Sequence, residues 1–452
     1  MKKLKRAHYF ALALLMFVAG FLTYGYRYSP KVSATVPYVN SRISVDSSGN
    51  QANAYTQSDS TVSLSKDGRY VAFSSDASNL VSGDTNGKSD IFVRDRIAGT
   101  TVRVDLTSTG AQQTSDYIKS SKISANGRFV VFSTADPNMV PGDTNGVRDT
   151  FVRDLQLNTT TIVSVSSAGV FGNQQSPEDF DISADGRYIV FYSLATNLVS
   201  GDTNGAADIF VRDTKLGTTT LMSKSDAGVI GNNASLKPSI SCDGATVAFL
   251  SAASNLTTGD TNGYIDTFVV NRVGSDSVTN ITQTGNDGAE NFTPTDVSCD
   301  GSTVTFLSYA SNLVSGDTNA KPDLFAYDVS TQTMDRVNVS TAGAEANFNS
   351  YGTSGLSGDG RYVVFTTGAT TLVSGDTNNA PDVFLRDRQA GTTEIVSKRN
   401  SSTQTSTSSG QADISNDGER IGYISLDSGL VSGDTNSVDD VFVADTGTSI
   451  CQ

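Results

Sequence analysis

The sequence predicts an all-β fold: a single seven-bladed β-propeller, four antiparallel strands to a blade, closed by an N-terminal strand and preceded by an N-terminal hydrophobic helix. Three observations predict it. The tetrapeptide Gly-Asp-Thr-Asn occurs seven times, with its acid at Asp84, Asp143, Asp202, Asp260, Asp317, Asp376 and Asp434, in steps of 57–59 residues. Each repeat divides into four short apolar runs separated by turn residues, the pattern of propeller blades. The seventh repeat ends one strand short, and an unclaimed strand stands before the first.

Strand A of each repeat runs into a Ser-x-(Asp/Asn)-Gly turn, as at Asp67-Gly68, Asn126-Gly127 and Asp243-Gly244. Such pairs tolerate the positive φ of a tight hairpin. Strand B follows at once, as in Tyr70-Val71-Ala72-Phe73, and a longer loop leads to strand C, as in Asp90-Ile91-Phe92-Val93-Arg94-Asp95. Strand D is expected at Val102-Arg103-Val104-Asp105-Leu106, whose alternation marks a half-exposed outer strand. Arg42-Ile43-Ser44-Val45 matches that unit and also matches Arg336-Val337-Asn338-Val339. Residues 42–45 are therefore expected to pair with strand C of the seventh repeat, which removes the exposed edges of an open stack.

At 452 residues the chain exceeds one ordinary core, which a repeat architecture resolves. The first 40 residues hold six basic side chains and no acid, leaving 26 basic against 47 acidic residues in the rest, a net charge of −21. A body this acidic repels phosphate, so nucleic acid is not an expected partner. The only histidine, His8, precedes the repeats, which excludes histidine-based triads and His-ligated metals in them. Cys242, Cys299 and Cys451 are an odd, sparse set. Blade-to-blade spacing is expected to exceed the reach of a disulfide, leaving free thiols.

A basic start through His8 followed by the apolar run Tyr9 to Tyr26 is an export signal. Its length is close to a membrane span. The expected division is residues 1–26 as signal anchor or signal peptide, 27–40 as linker and 41–452 as propeller. The propeller is expected outside the cytoplasm, periplasmic or extracellular, attached to the cell membrane through its N-terminal segment, and monomeric.

Ser-x-Asp-Gly-Arg-Tyr-Val-Ala-Phe followed by Asp-Ile-Phe-Val-Arg-Asp resembles the WD40-like repeat unit of TolB-type propellers, and the likeness covers residues 42–445. The sequence departs from that family in lacking Trp before the turn and Pro within it, and in having seven repeats where the TolB propeller has six blades. The resemblance implies a periplasmic or secreted protein-binding platform and carries over no binding residue.

The A–B and C–D connections are tight, whereas B–C and D–A are long and polar, so the face bearing the long loops is the expected working face. It carries seven Asp-Thr-Asn-x-x-x-Asp loops. Their side chains are Asp84, Asn86 and Asp90; Asp143, Asn145 and Asp149; Asp202, Asn204 and Asp208; Asp260, Asn262 and Asp266; Asp317, Asn319 and Asp323; Asp376, Asn378 and Asp382; and Asp434, Asn436 and Asp440. The spacing echoes part of a calcium loop and offers four or five oxygens to an ion that takes six to eight, so a Ca2+ site here would be weak. A metal-free Asx turn accounts for the same residues, and both readings stand.

Arg94, Arg153, Arg212 and Arg386 recur at the end of strand C and are expected in blade-to-blade ion pairs. Glu178, Asp179, Glu290 and Glu345 are loop acids outside the repeat, and none forms a nucleophile–base arrangement readable from sequence. The expected function is a non-enzymatic scaffold binding a protein or surface polymer on its acidic loop face. The alternative is a hydrolase or lyase acting on extracellular polymers, which needs a constellation that breaks the repeat, and a third reading is a surface-layer component.

Overall fold

A computed structural model describes residues 38–56, 61–114, 118, 120–274, 276–286, 295–400 and 403–446. The strands form seven four-stranded antiparallel sheets, each joined in the order A-B-C-D. Blade 1 is Ser63–Leu64, Tyr70–Ser75, Asp90–Asp95 and Thr100–Arg103. Blades 2 to 6 repeat this order. Blade 7 takes A, B and C from Ser409–Ile414, Arg420–Ser425 and Asp440–Asp445, and D from Val39–Arg42 near the other end of the chain. Val39 pairs with Asp445 and Arg42 with Phe442, closing the ring.

The closing strand sits three residues earlier than the expected 42–45, and strand D of blade 1 is Thr100–Arg103, not 102–106. The apolar alternation continues past the ladder, but the backbone does not. Leu106 N–H donates to Val104 O at 2.7 Å, a tight turn that recurs at Val45, Val165, Lys224, Val339 and Lys398. The expected N-terminal helix falls on residues outside those described. Among the described residues no helix is long and apolar enough to cross a membrane.

In each blade an aromatic residue of strand B stacks on the phenylalanine paired with it in strand C. Phe73–Phe92, Phe249–Phe268 and Tyr423–Phe442 are examples, with centroids 5.8, 5.7 and 6.0 Å apart. These rings are fully buried. Such pairs add about 0.5–1.5 kcal/mol each beyond their area burial. Apolar clusters then join consecutive blades, as where Ala72, Ile91 and Val93 of blade 1 meet Ile123 and Val130 of blade 2.

The A–B turns meet around the axis and close one end of the central channel. Lys66 N donates to Ala125 O, Asn126 N to Ala184 O, Ala184 N to Cys242 O, Cys242 N to Cys299 O, Asp300 N to Gly358 O, Gly358 N to Asn416 O and Asn416 N to Lys66 O, all at 2.9–3.1 Å. This belt corrects the expectation for the cysteines. Blades converge at the axis, so Cys242 and Cys299 stand 4.5 Å apart at Cα and form a disulfide.

Candidate functional site

The recurrent acids stand where the B–C loop enters strand C. The second acid of each loop opens the strand: Asp90, Asp149, Asp208, Asp266, Asp323, Asp382 and Asp440. The intervening asparagine is a brace. Asn145 donates to Asp149 at 2.7 Å and to Gly172 O of the D–A loop at 3.0 Å, while its own oxygen accepts Val147 N–H. Asn86, Asn204, Asn262, Asn319, Asn378 and Asn436 likewise donate to the strand-C acid and accept an amide two residues on. The second acid also takes a donor from just past strand D: Ser164 to Asp149, Ser223 to Asp208, Thr282 to Asp266, Asn338 to Asp323, Ser397 to Asp382 and Ser44 to Asp440. In blade 1 that place is held by the fully buried Asp105. Burial and the neighbouring Asp90 push its carboxyl far above the usual range.

The blades differ in what faces each acid pair from strand D. Blades 1, 5 and 7 place a guanidinium there. Arg103 lies 3.3 Å from Asp84 and 3.5 Å from Asp90, Arg336 lies 3.4 Å from Asp317 and 3.1 Å from Asp323, and Arg42 lies 3.6 Å from Asp434 and 3.7 Å from Asp440. Blade 4 has Asn280, which donates to Asp266 at 3.0 Å. Blade 6 bridges Asp376 and Asp382 with the Gln404 amide at 2.7 and 2.8 Å. Blades 2 and 3 present Ile162 and Leu221 at the strand-D position. Burial pushes Asp149 and Asp208 up to about 6. Asp317, Asp323 and Glu345 bring carboxylate oxygens within 4.8 Å of one another, a spacing that could hold a metal ion, and Arg336 lies among them, also 2.5 Å from Glu345.

A second constellation lies in the channel. Two residues before each Ser-x-(Asp/Asn)-Gly serine, one position of strand A faces the axis: Ser63, Lys122, Asp181, Ser239, Asp296, Gly355 and Asp413. These positions break the sevenfold symmetry. Each aspartate staples two blades. Asp181 accepts Ile182 N–H at 2.8 Å and Ile240 N–H of the next blade at 2.9 Å. Asp296 does the same with Val297 and Leu356, and Asp413 with Ile414 and Leu64. All three side chains are half-buried, as is Lys122. Burial pushes Asp296 up to about 8 and raises Asp181 and Asp413, with Lys122 opposing the rise in each. The three carboxylates in turn raise Lys122 against its own desolvation.

Beside them a cavity of about 200 Å³ lies at the D–A loop end of the channel, lined by Lys122, Asp179, Asp181, Lys237, Asp296 and Gln411, among others. Lys237 and Gln411 adopt positive φ of 54° and 55°, each at a shift in the A–B register. Lys237 pairs with Asp179 at 2.8 Å and Arg148 with Glu178 at 3.0 Å.

No protein-family model and no curated protein matches this chain. The solved structures similar to it include propellers. Oligogalacturonate lyase from Vibrio parahaemolyticus matches 91% of this chain and 97% of its own at 13% identity and a TM-score of 0.52. The propeller domain of the trilobed protease from Pyrococcus furiosus matches 87% of this chain and 94% of its own at 11% identity and a TM-score of 0.52. TolB from Acinetobacter baumannii matches 79% and 76% at 14% identity and a TM-score of 0.39. Identities this low speak to the fold alone. The Pyrococcus propeller is described as having an open velcro, whereas the ring here closes by strand pairing.

The strand-C arginines correct another expectation. Arg94, Arg212 and Arg386 donate to backbone carbonyls of the preceding blade's turn, at Asp46, Ser166 and Ser340, and of their own C–D turn, at Gly99, Gly217 and Gly391. Arg153 reaches Thr107 O in the same way. Within each of four blades the arginine after the A–B turn pairs with the acid ending strand C, as Arg69–Asp95, Arg128–Asp154, Arg187–Asp213 and Arg361–Asp387 at 2.6–2.7 Å, while Arg96–Asp445 and Arg388–Asp335 are ion pairs between blades. Glu290 lies outside the described residues. The channel residues were absent from the sequence-derived candidates. Their signal is visible once the repeats are aligned on the turn serine.

Proposed function

We propose that this propeller is an exported, non-enzymatic binding platform that receives a basic segment of a partner protein on its D–A loop face, with one cationic side chain entering the channel mouth. The observation that carries the proposal is the break in symmetry at the axis, where one strand-A position holds Asp181, Asp296 and Asp413 against one cation, Lys122, and a cavity opens beside Lys122, Asp181 and Asp296. A cavity of about 200 Å³ takes a single side chain, below the 300–1,000 Å³ typical of sites that enclose a small-molecule ligand. An incoming ammonium or guanidinium offsets the remaining negative charge. The Cys242–Cys299 disulfide supports export, since such bonds persist in oxidising compartments. The basic and apolar N-terminus supports membrane attachment on the same side.

A second reading, a hydrolase or lyase acting on extracellular polymers, draws on one observation: Asp296, at about 8, holds a proton at neutral pH beside the cavity. Against it, both Asp296 oxygens are held by backbone amides. The test is fluorescence anisotropy of short labelled basic, neutral and acidic peptides with the full-length chain. The platform reading expects basic peptides to bind in a salt-sensitive manner and Asp181→Asn to weaken them. Equal binding of the neutral peptide defeats it, and release of unsaturated sugars from a polyuronate would establish the enzyme.

A further inference from the structure

In three of the seven blades a cation stands against both of the paired loop acids. Blade 5 shows the arrangement most fully. Arg336 contacts Asp317 Oδ1 at 3.4 Å and Asp323 Oδ2 at 3.1 Å, and donates to the Gly316 carbonyl at 3.1 Å. Blades 1 and 7 place Arg103 and Arg42 against the same two oxygens of their own pairs. Blades 2 and 3 keep both acids but have Ile162 and Leu221 where the guanidinium would come from.

Those two acid pairs are also closed off. Asp143 and Asp202 are 8% and 6% exposed, and Asp149 and Asp208 are 0% exposed. The Oδ1 atoms of Asp143 and Asp202, which correspond to the atom that Arg336 contacts on Asp317, have no hydrogen-bond partner and no ion pair among the described residues. A buried carboxylate oxygen without a partner, close enough to a second carboxylate to raise its pKa, carries a large desolvation cost that a positive charge would offset.

We propose that blades 2 and 3 each bind one divalent cation of the calcium class, held between Asp143 and Asp149 in one and Asp202 and Asp208 in the other. The donors are all hard oxygens, with the Gly142 and Gly201 carbonyls standing where Gly316 stands in blade 5, and water completes a shell of six to eight. In blades 1, 5 and 7 arginine performs the same neutralisation, and in blades 4 and 6 the Asn280 and Gln404 amides already donate to the acids, so the sites number two, not seven. Only two carboxylates reach each ion, which places the affinity toward the millimolar range of extracellular modules. This inference is independent of the channel ligand.

The test is calcium stoichiometry of the full-length, chelator-stripped chain by equilibrium dialysis with CaCl2, alongside the thermal midpoint with CaCl2, MgCl2 and chelator. The expected result is two ions per chain and a midpoint raised by CaCl2. Ile162→Arg and Leu221→Arg supply the missing guanidinium. Each is expected to reduce the count to one, and together to zero, with the midpoint in chelator preserved. Should either arginine variant fail to fold, Asp143→Asn and Asp202→Asn each remove one ion in a side chain of the same shape. A wild-type count of zero overturns the proposal in favour of a proton shared within each pair. A count of seven, or a count of two that survives both arginines or both asparagines, overturns it by placing calcium elsewhere.

Discussion

The Tyr423 hydroxyl donates to Asn40 Oδ1 at 2.7 Å, linking strand B of the last blade to the strand that closes the ring. The other six blades carry phenylalanine at the equivalent position. Tyr423→Phe therefore keeps the ring stack and removes one bond, leaving the oxygen of a 5%-exposed Asn40 without that donor. The expected loss is about 1–3 kcal/mol. Urea unfolding measures it, and Phe73→Tyr in blade 1, where Thr101 stands at the place of Asn40, provides the contrasting control.

The Cys242–Cys299 bridge spans 57 residues of sequence and locks blades 4 and 5 where the A–B belt already holds them. Loop closure of this length predicts stabilisation of about 2–4 kcal/mol. Replacing both cysteines with serine is expected to lower the denaturant midpoint accordingly. It should also abolish the sensitivity of that midpoint to dithiothreitol, which the wild type is expected to show.

Asp105 occupies the one place where the neighbouring blades supply a serine, threonine or asparagine donor. Its Oδ1 accepts Ile91 N–H at 3.1 Å, while Oδ2, against Asp90, has no hydrogen-bond donor. Its folded pKa is raised, so it contributes most favourably when protonated, and stability is lost as pH climbs from the ordinary carboxylate range toward the raised value. Asp105→Asn copies Asn338 of blade 5 and restores a donor. The variant is expected to gain about 1–3 kcal/mol near neutral pH. Unfolding at pH 5 and pH 8 should show the gain larger at the higher pH. A variant no more stable than wild type at either pH would show that Asp105 already has an adequate partner.

The blade count, strand order and ring closure were legible in the sequence because each depends on a local signal repeated seven times. Strand D was misplaced by two or three residues because Val104 and Leu106 remain apolar after the backbone has turned away. The disulfide was missed because repeat spacing says nothing about radius: residues at one repeat position are far apart at the rim and adjacent at the axis. The acid loops were found, but their differences depend on partners outside the motif, such as Arg103 against Ile162, which become neighbours only through strand pairing. The axial cluster of Lys122, Asp181, Asp296 and Asp413 was present in the sequence as the positions that refuse the repeat.

That cluster gives the last prediction. Lys122 is the ammonium opposing the rise in all three axial carboxylates, so removing it leaves them with no cation that offsets all three. Lys122→Met is expected to cost about 3–5 kcal/mol, the range for breaking a buried ion pair. Asp296 is raised to about 8, so it favours the folded state while protonated, and wild-type stability is expected to fall as pH rises from 6 through 8. Without Lys122 the carboxylates are driven higher still, so the fall should extend to higher pH. Asp296→Asn alone weakens one staple, but on the Lys122→Met background it also removes a charge that has lost its counter-ion. The two substitutions are therefore expected to be non-additive, with the double variant more stable than the sum of the singles implies, and urea midpoints for the four-member cycle at pH 7 measure that coupling. Additive losses would mean that the Lys122 ammonium does not act on Asp296, and that the channel is held by its backbone staples alone.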